Sequence, residues 1–223
     1  MIDAPPAKRL KRTTLLLSAK EATSASSLDA ATEQLLAAKS PGSRRTAALA
    51  VADARVGADD DDDVASRDAL RLLTEMLRGS YGEAEAASLA LWKLARNSEN
   101  KVLIAKAGAI PPLVALLQNG IDVAKEKAVG ALWALSSNNE NNAVSIARAG
   151  AIPPLVAHLQ NGTDKMREFA AGALGILALN NKDNQVSIAR AGAIPLVVAL
   201  LQDGTDRSKA LAKWTLSALS YCC

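Results

Sequence analysis

Little in this chain can serve as a nucleophile, a general base or a soft metal ligand. Its 223 residues hold one histidine, His158, and two cysteines, Cys222 and Cys223, adjacent at the very end. Two neighbouring thiols build neither a disulfide framework nor a zinc site. The five acids Asp59 to Asp63 lack the alternating ligands and glycine turn of a calcium loop; mutual repulsion makes them an extended linker. The expectation is therefore no catalytic residue, no cofactor, no metal and no small-molecule substrate. What remains is a chemistry of contact. Trp92, Trp133 and Trp214, with charged residues around them, are the side-chain types that anchor protein interfaces.

Helices must position those indoles. Alanine (46) and leucine (32) supply about a third of the chain, and only six residues are aromatic. Ala and Leu lead the helix propensities and strand formers are thin, so the fold class is all-α. A formal net charge of +3 argues against a nucleic-acid partner. No apolar run reaches the length of a membrane span, and Leu15 to Leu17 is too short for a signal-peptide core. No prenylation box ends at Cys223 and no glycine follows Met1, so membrane attachment is not expected. The default location is cytoplasmic. Lys8-Arg9-Leu10-Lys11-Arg12 fits a short basic import signal and adds the nucleus as a second one. The rest of 1–27 reads as a solvated, disordered tail.

The chain repeats itself. Gly108-Ala-Ile-Pro-Pro-Leu-Val-Ala returns at Gly150 and, slightly altered, at Gly192, both steps being 42 residues. Without gaps, 108–149 and 150–191 share 28 identities in 42 positions. That period belongs to helical solenoids. Each unit is punctuated into three helices. A short one from Asn142 stops at Gly150, which can take the left-handed cap conformation. Pro153 and Pro154 open a second that ends at Asn161-Gly162. Thr163 or Asp164 caps a third running to about Leu179. Upstream, 67–107 matches at an offset of 41, with Trp92 falling on Trp133. Two further amphipathic stretches, Leu28 to Lys39 and Arg44 to Val56, are split by Ser40-Pro41-Gly42 and read as a degenerate, polar cap. The expected organisation is a tail (1–27), a capping repeat (28–57), an acidic linker (58–63) and repeats at 64–107, 108–149, 150–191 and 192–223.

The Gly-Ala-Ile-Pro-Pro-Leu-Val-Ala-Leu-Leu run, the Gly-Ala-Leu of the third helix and the Asn-rich return resemble the armadillo family. The flavour is that of the vacuolar armadillo adaptors and plant-type armadillo proteins. The resemblance implies a right-handed superhelix of about four three-helix repeats plus the cap, with third helices lining a concave groove for partner proteins or extended peptides. It implies a non-catalytic interaction module or scaffold. The rivals are a cargo adaptor of the importin-α type and a non-catalytic subunit of a ubiquitin-ligase-like or other enzyme complex. Importin-α-type proteins clamp peptides with a Trp and an Asn four residues later. Here the Trp positions hold Leu89, Gly130, Gly172 and Trp214, and the Asn positions hold Lys93, Ala134, Ile176 and Ala218. One Trp of four and no Asn disfavours the import adaptor.

Residues three and four apart share a helix face. With Ala128, Ala131, Leu132 and Leu135 inward, the opposite stripe carries Glu126, Gly130, Trp133, Ala134 and Ser137. Counterparts are Glu85, Leu89, Trp92, Lys93 and Arg96 before it, then Glu168, Gly172, Gly175, Ile176 and Leu179. The last unit adds Ala210, Trp214, Ser217, Ala218 and Tyr221. The expected groove is Trp92, Trp133 and Trp214 as anchors, tuned by Lys93, Arg96, Ser137, Glu85, Glu126 and Glu168. Two readings stay open for the indoles: groove anchors, or packing between repeats. The glutamates could form an acidic ladder, but their expected place in the first helical turn favours the macrodipole reading. Lys106, Arg148 and Arg190 should close the short helices for the complementary reason. His158, standing where Leu116 stands one unit earlier, reads as a partly buried structural histidine. Lys213, in the place of Val129 and Ala171, should help to solvate the last unit and keep the chain monomeric.

Overall fold

A computed structural model describes residues 28–54 and 65–220, which hold thirteen helices and no strand. The tail 1–27 with its Lys8–Arg12 cluster, the linker with Asp59 to Asp63, and Tyr221, Cys222 and Cys223 lie outside the described residues. Helix α1 covers 28–37. It is followed by α2 (Pro41–Asp53), α3 (Arg67–Met76), α4 (Tyr81–Leu94), α5 (Ser98–Lys106), α6 (Ile110–Asn119) and α7 (Asp122–Ser136). Then come α8 (Glu140–Arg148), α9 (Ile152–Asn161), α10 (Asp164–Ala178), α11 (Lys182–Arg190), α12 (Ala193–Asp203) and α13 (Asp206–Ser220). Helices α5–α7, α8–α10 and α11–α13 are complete short, medium and long triplets. The third helices α2, α4, α7, α10 and α13 pack in succession as one continuous inner layer.

The expected punctuation holds. Gly108, Gly150 and Gly192 have φ of +79°, +83° and +81°. A Cβ at any of the three would meet no atom within 4 Å, so the glycine serves backbone conformation and not close packing. Prolines occupy the first turns of α6 and α9, where a missing N–H is harmless. Thr163 is the cap of α10, its hydroxyl accepting from Met166 N–H at 3.2 Å.

One boundary shifts. The cap unit is split into two helices as expected, at 38–40, but Pro41 and Gly42 already belong to α2; Ser40 caps it in a reciprocal box with Ser43. The 41-residue offset also has a structural cause. Asn138 and Asn180 take left-handed φ of 54° and 56° in the returns after α7 and α10. The return after α4 has no such position, and α4 itself is one residue shorter than α7 and α10.

The asparagines of these returns are consumed locally. Asn139 and Asn181 cap α8 and α11 through their side-chain oxygens. Asn142 turns inward, its Nδ2 donating to Leu135 O at 3.0 Å and to Lys101 O of the preceding unit at 3.1 Å. Asn184 repeats the first contact on Leu177 O at 2.8 Å. The bonds to Leu135 O and Leu177 O satisfy carbonyls that the ends of α7 and α10 would otherwise leave orphaned.

Candidate functional site

The inner layer is built from two stripes of each third helix. Ala128, Ala131, Leu132 and Leu135 of α7 are fully buried, as expected. The opposite stripe is not the open floor that its spacing suggests. Trp92 of α4 lies against Gly130 of α7, where an added Cβ would sit 2.9 Å from the indole. Trp133 of α7 lies against Gly172 of α10 in the same way, at 2.8 Å. At the next junction the roles are exchanged: α10 offers Gly175, and α13 supplies the indole of Trp214. Gly130, Gly172 and Gly175 are therefore covered, not exposed.

The geometry resolves the two readings of the indoles. Trp92 and Trp133 pack between repeats against the core and remain partly exposed. The presence of Gly175 in the third unit does not mean that the junction needs no indole, because Trp214 fills that space from the other side.

Phe169 is the residue that sequence reasoning missed. It is buried on α10, 5.1 Å from Trp92 in an edge-on arrangement and 5.4 Å from Trp133 in a stacked one. Such pairs add to the value of buried area. Arg207 of α13 lies over the Trp133 ring at 5.8 Å and bonds Glu168 at 2.9 Å. The result is an aromatic cluster spanning three helices and closed by one cation.

The glutamates are matched one by one. Glu85 meets Arg45 at 3.5 Å, Glu126 meets Lys127 at 3.0 Å, and Glu168 meets Arg207. They also stand one turn further in than expected, since α4, α7 and α10 begin at Tyr81, Asp122 and Asp164. The first-turn acids that complement the helix dipoles are Glu83, Asp122 and Asp164. Lys106, Arg148 and Arg190 do occupy last turns. Lys93 is tied to Asp53 of the cap unit at 3.2 Å. Arg96 is exposed and makes no ion pair among the described residues.

A recess of about 650 Å³ opens between the returns that follow α7 and α10. Ser137, Asn138, Ile176, Leu179, Asn180 and Trp214 contribute to its lining, and Glu140 is its only charged residue. Leu179 is 46% exposed and Trp214 38%, high for large apolar side chains on an inner face. Ser137 is occupied locally: its hydroxyl donates to Trp133 O at 3.0 Å, and its carbonyl accepts from Lys101 Nζ at 2.7 Å. Burial lowers the Lys101 pKa, while its charge sits where the end of α7 favours a cation. His158 lies apart, on α9. Burial pulls its pKa below the ordinary imidazole value against the opposing effect of a bond to Leu117 O at 3.1 Å. It is structural, as expected. Among the described residues no three His, Cys, Asp or Glu side chains gather as metal ligands.

Residues 97–137 and 138–179 match the Armadillo/beta-catenin-like repeat family. Those boundaries fall one short helix ahead of the Gly-to-Gly division, so the folded unit starts with α5 or α8. Among solved structures, an engineered protein superposes with a TM-score of 0.79 at 22% identity, over 91% of this chain and 83% of that one. A designed armadillo repeat protein matches with a TM-score of 0.75 at 22% identity, over 97% and 96%. Another, in complex with the peptide (KR)4, gives 0.73 at 23% identity over 90% and 84%. No curated protein matches.

Proposed function

We propose that this chain, whose residues 97–179 match armadillo repeats, is a non-catalytic scaffold that holds an extended segment of a partner protein along the inner layer of third helices. The recess at Leu179, Ile176 and Trp214, in which Glu140 is the one charged lining residue, carries this reading. It offers a partner an apolar side-chain socket. Trp92 and Trp133 contribute edges, and Arg96 a cation that makes no ion pair among the described residues. Stacked helices present the socket preformed, so mainly the partner loses freedom on docking.

A carrier of basic peptides is the weaker reading. Such a peptide, like the (KR)4 bound by the designed neighbour, would draw on free carboxylates. Glu85, Glu126 and Glu168 are each matched to a cation of the chain itself.

The test is selection of a random peptide library on the full chain, followed by titration of enriched peptides against variants. Trp214→Ala and Leu179→Ser should each weaken binding, Trp214→Ala by about 2 kcal/mol, the scale of an interfacial hot spot. Both side chains are substantially exposed, so neither change should prevent folding. Peptides that bind both variants as tightly as the parent would remove the recess from the function.

A further inference from the structure

Lys101, Ala143 and Gln185 share one position of the short helices α5, α8 and α11. On α5, Lys101 reaches the carboxyl end of α7 and donates through Nζ to Ser137 O at 2.7 Å. On α11, Gln185 reaches the carboxyl end of α13 and donates through Nε2 to Ala218 O at 2.9 Å. The first and last complete triplets are thus clasped by a long side chain with an N–H tip. In the middle triplet the position holds Ala143, which stops at Cβ and clasps nothing. The recess opens there, with Ala143 and Leu179 both in its lining.

The acceptor is presented alike in the two units. Ser137 has φ of −61° and ψ of 120°, Leu179 φ of −62° and ψ of 123°, and a left-handed asparagine follows each. The Leu179 carbonyl therefore leaves α10 in the direction in which the Ser137 carbonyl leaves α7. Among the described residues no donor reaches it. A helix C-terminus favours a cation. Glu140 lines the same recess and makes no ion pair among the described residues. Its position holds Ser98 and Lys182 in the clasped units, so the acid belongs to the unclasped one alone.

We propose that Ala143 is what makes this recess a ligand site, and that its occupant is one lysine side chain of the partner segment, standing in for the clasp. The inference rests on the scaffold reading above. The partner's ammonium donates to Leu179 O as Lys101 does to Ser137 O, with Glu140 in the same recess, and its aliphatic stem lies along Ile176, Leu179 and Trp214. An arginine fits less well, because its planar fork calls for paired acceptors. An apolar side chain would leave the carbonyl covered and unsatisfied. One lysine in an otherwise uncharged segment is expected, since Glu85, Glu126 and Glu168 are engaged within the chain.

The probes are peptide mixtures randomised in uncharged residues around one fixed central residue, lysine in one mixture and leucine, glutamine or arginine in the others. Passed over the immobilised full chain, the lysine mixture should be retained at least about tenfold more than the leucine mixture, and more than the other two. Ala143→Lys supplies the clasp from within and should abolish that preference, with a melting midpoint unchanged or raised. Ala143→Gln, which copies the last unit, serves the same purpose where the lysine variant does not fold. Glu140→Gln should lower lysine retention by about threefold, a difference that added salt erases. Equal retention of the lysine and leucine mixtures, both released by Trp214→Ala, would overturn the inference and leave the scaffold reading standing. A folded Ala143→Lys or Ala143→Gln chain that keeps the lysine preference would overturn it as well. Retention untouched by Trp214→Ala would remove the recess from both.

Discussion

Of the four junctions between third helices, the three after α2–α4 pair an indole with a glycine, in two forms. At α4–α7 and α7–α10 the earlier helix gives the indole and the later one the glycine. At α10–α13 the donor and the acceptor are exchanged. In all three cases one indole fills one space left by an absent Cβ. What the junction requires is therefore a complementary pair, and the helix from which the indole comes is secondary. The exchange changes the surface, however. Trp92 and Trp133 are held around Phe169, while Trp214 stands at the rim of the recess with more than a third of its surface open.

The sharpest way to break this equivalence is to rewrite one junction as the other. Gly172→Trp with Trp133 retained puts two indoles in one space and should destabilise by about 3 kcal/mol or more, the upper range of overpacking. Adding Trp133→Gly converts the junction to the reversed form and should recover more than half of that loss. The coupling, read from denaturant melts, should be about 4 kcal/mol or more, since each single change costs about 3 and the pair less than about 1.5. Simple additivity of the two changes would show that the forms are not interchangeable.

Truncation sharpens the comparison from the other side. Trp133→Ala empties a junction space and dissolves the contacts to Phe169 and Arg207, so it should destabilise by about 3 kcal/mol. Trp214→Ala should lose less, about 1–2 kcal/mol, because much of that indole is already solvated. Equal losses in thermal melts followed by far-UV circular dichroism would contradict the distinction.

The smallest effect lies away from the junctions and serves as a control. Burial holds the His158 pKa below its ordinary value. As pH falls, the unfolded chain takes up the proton first, so stability present at about pH 7 declines below about 6.5 and continues to fall through the lower folded value. His158→Leu, which copies Leu116 of the preceding unit, should flatten that part of the pH–stability curve. The Trp133 and Trp214 variants should keep it. An unchanged slope in His158→Leu would place the titration elsewhere.

Much of the architecture was legible because it is written within single units. Gly108, Gly150 and Gly192 mark left-handed stops, the prolines mark helix starts, and the Ala and Leu stripe of α7 is buried as its spacing says. The junction was illegible because its two halves lie in different units. Gly130 and Gly172 look like gaps in a groove until the preceding helix is laid beside them. Phe169 was hidden by register: Lys127 and Leu211 occupy its position in the flanking units, so no common face could be assigned. The glutamates were misjudged by one turn: with Thr163 capping α10 as expected, Glu168 is already the fifth residue of the helix, past its first turn. A one-turn error moves a charge from a helix-dipole role to an ion-pair role.

The reversed junction also bears on how the chain finds its order. Units that share two thirds of their residues can be mistaken for one another during folding, a hazard of repeat proteins in general. Helix α10, with Gly172, would accept an indole from either α4 or α7. Helix α13 is more selective, since its own Trp214 demands an empty place on whatever precedes it. Were α13 to skip a unit and settle on α7, Trp214 would collide with Trp133. Among α4, α7 and α10, only α10, with Gly175, has the vacancy. One exchanged pair thus works as an address, making the last unit refuse the two indole-bearing helices in favour of the right one.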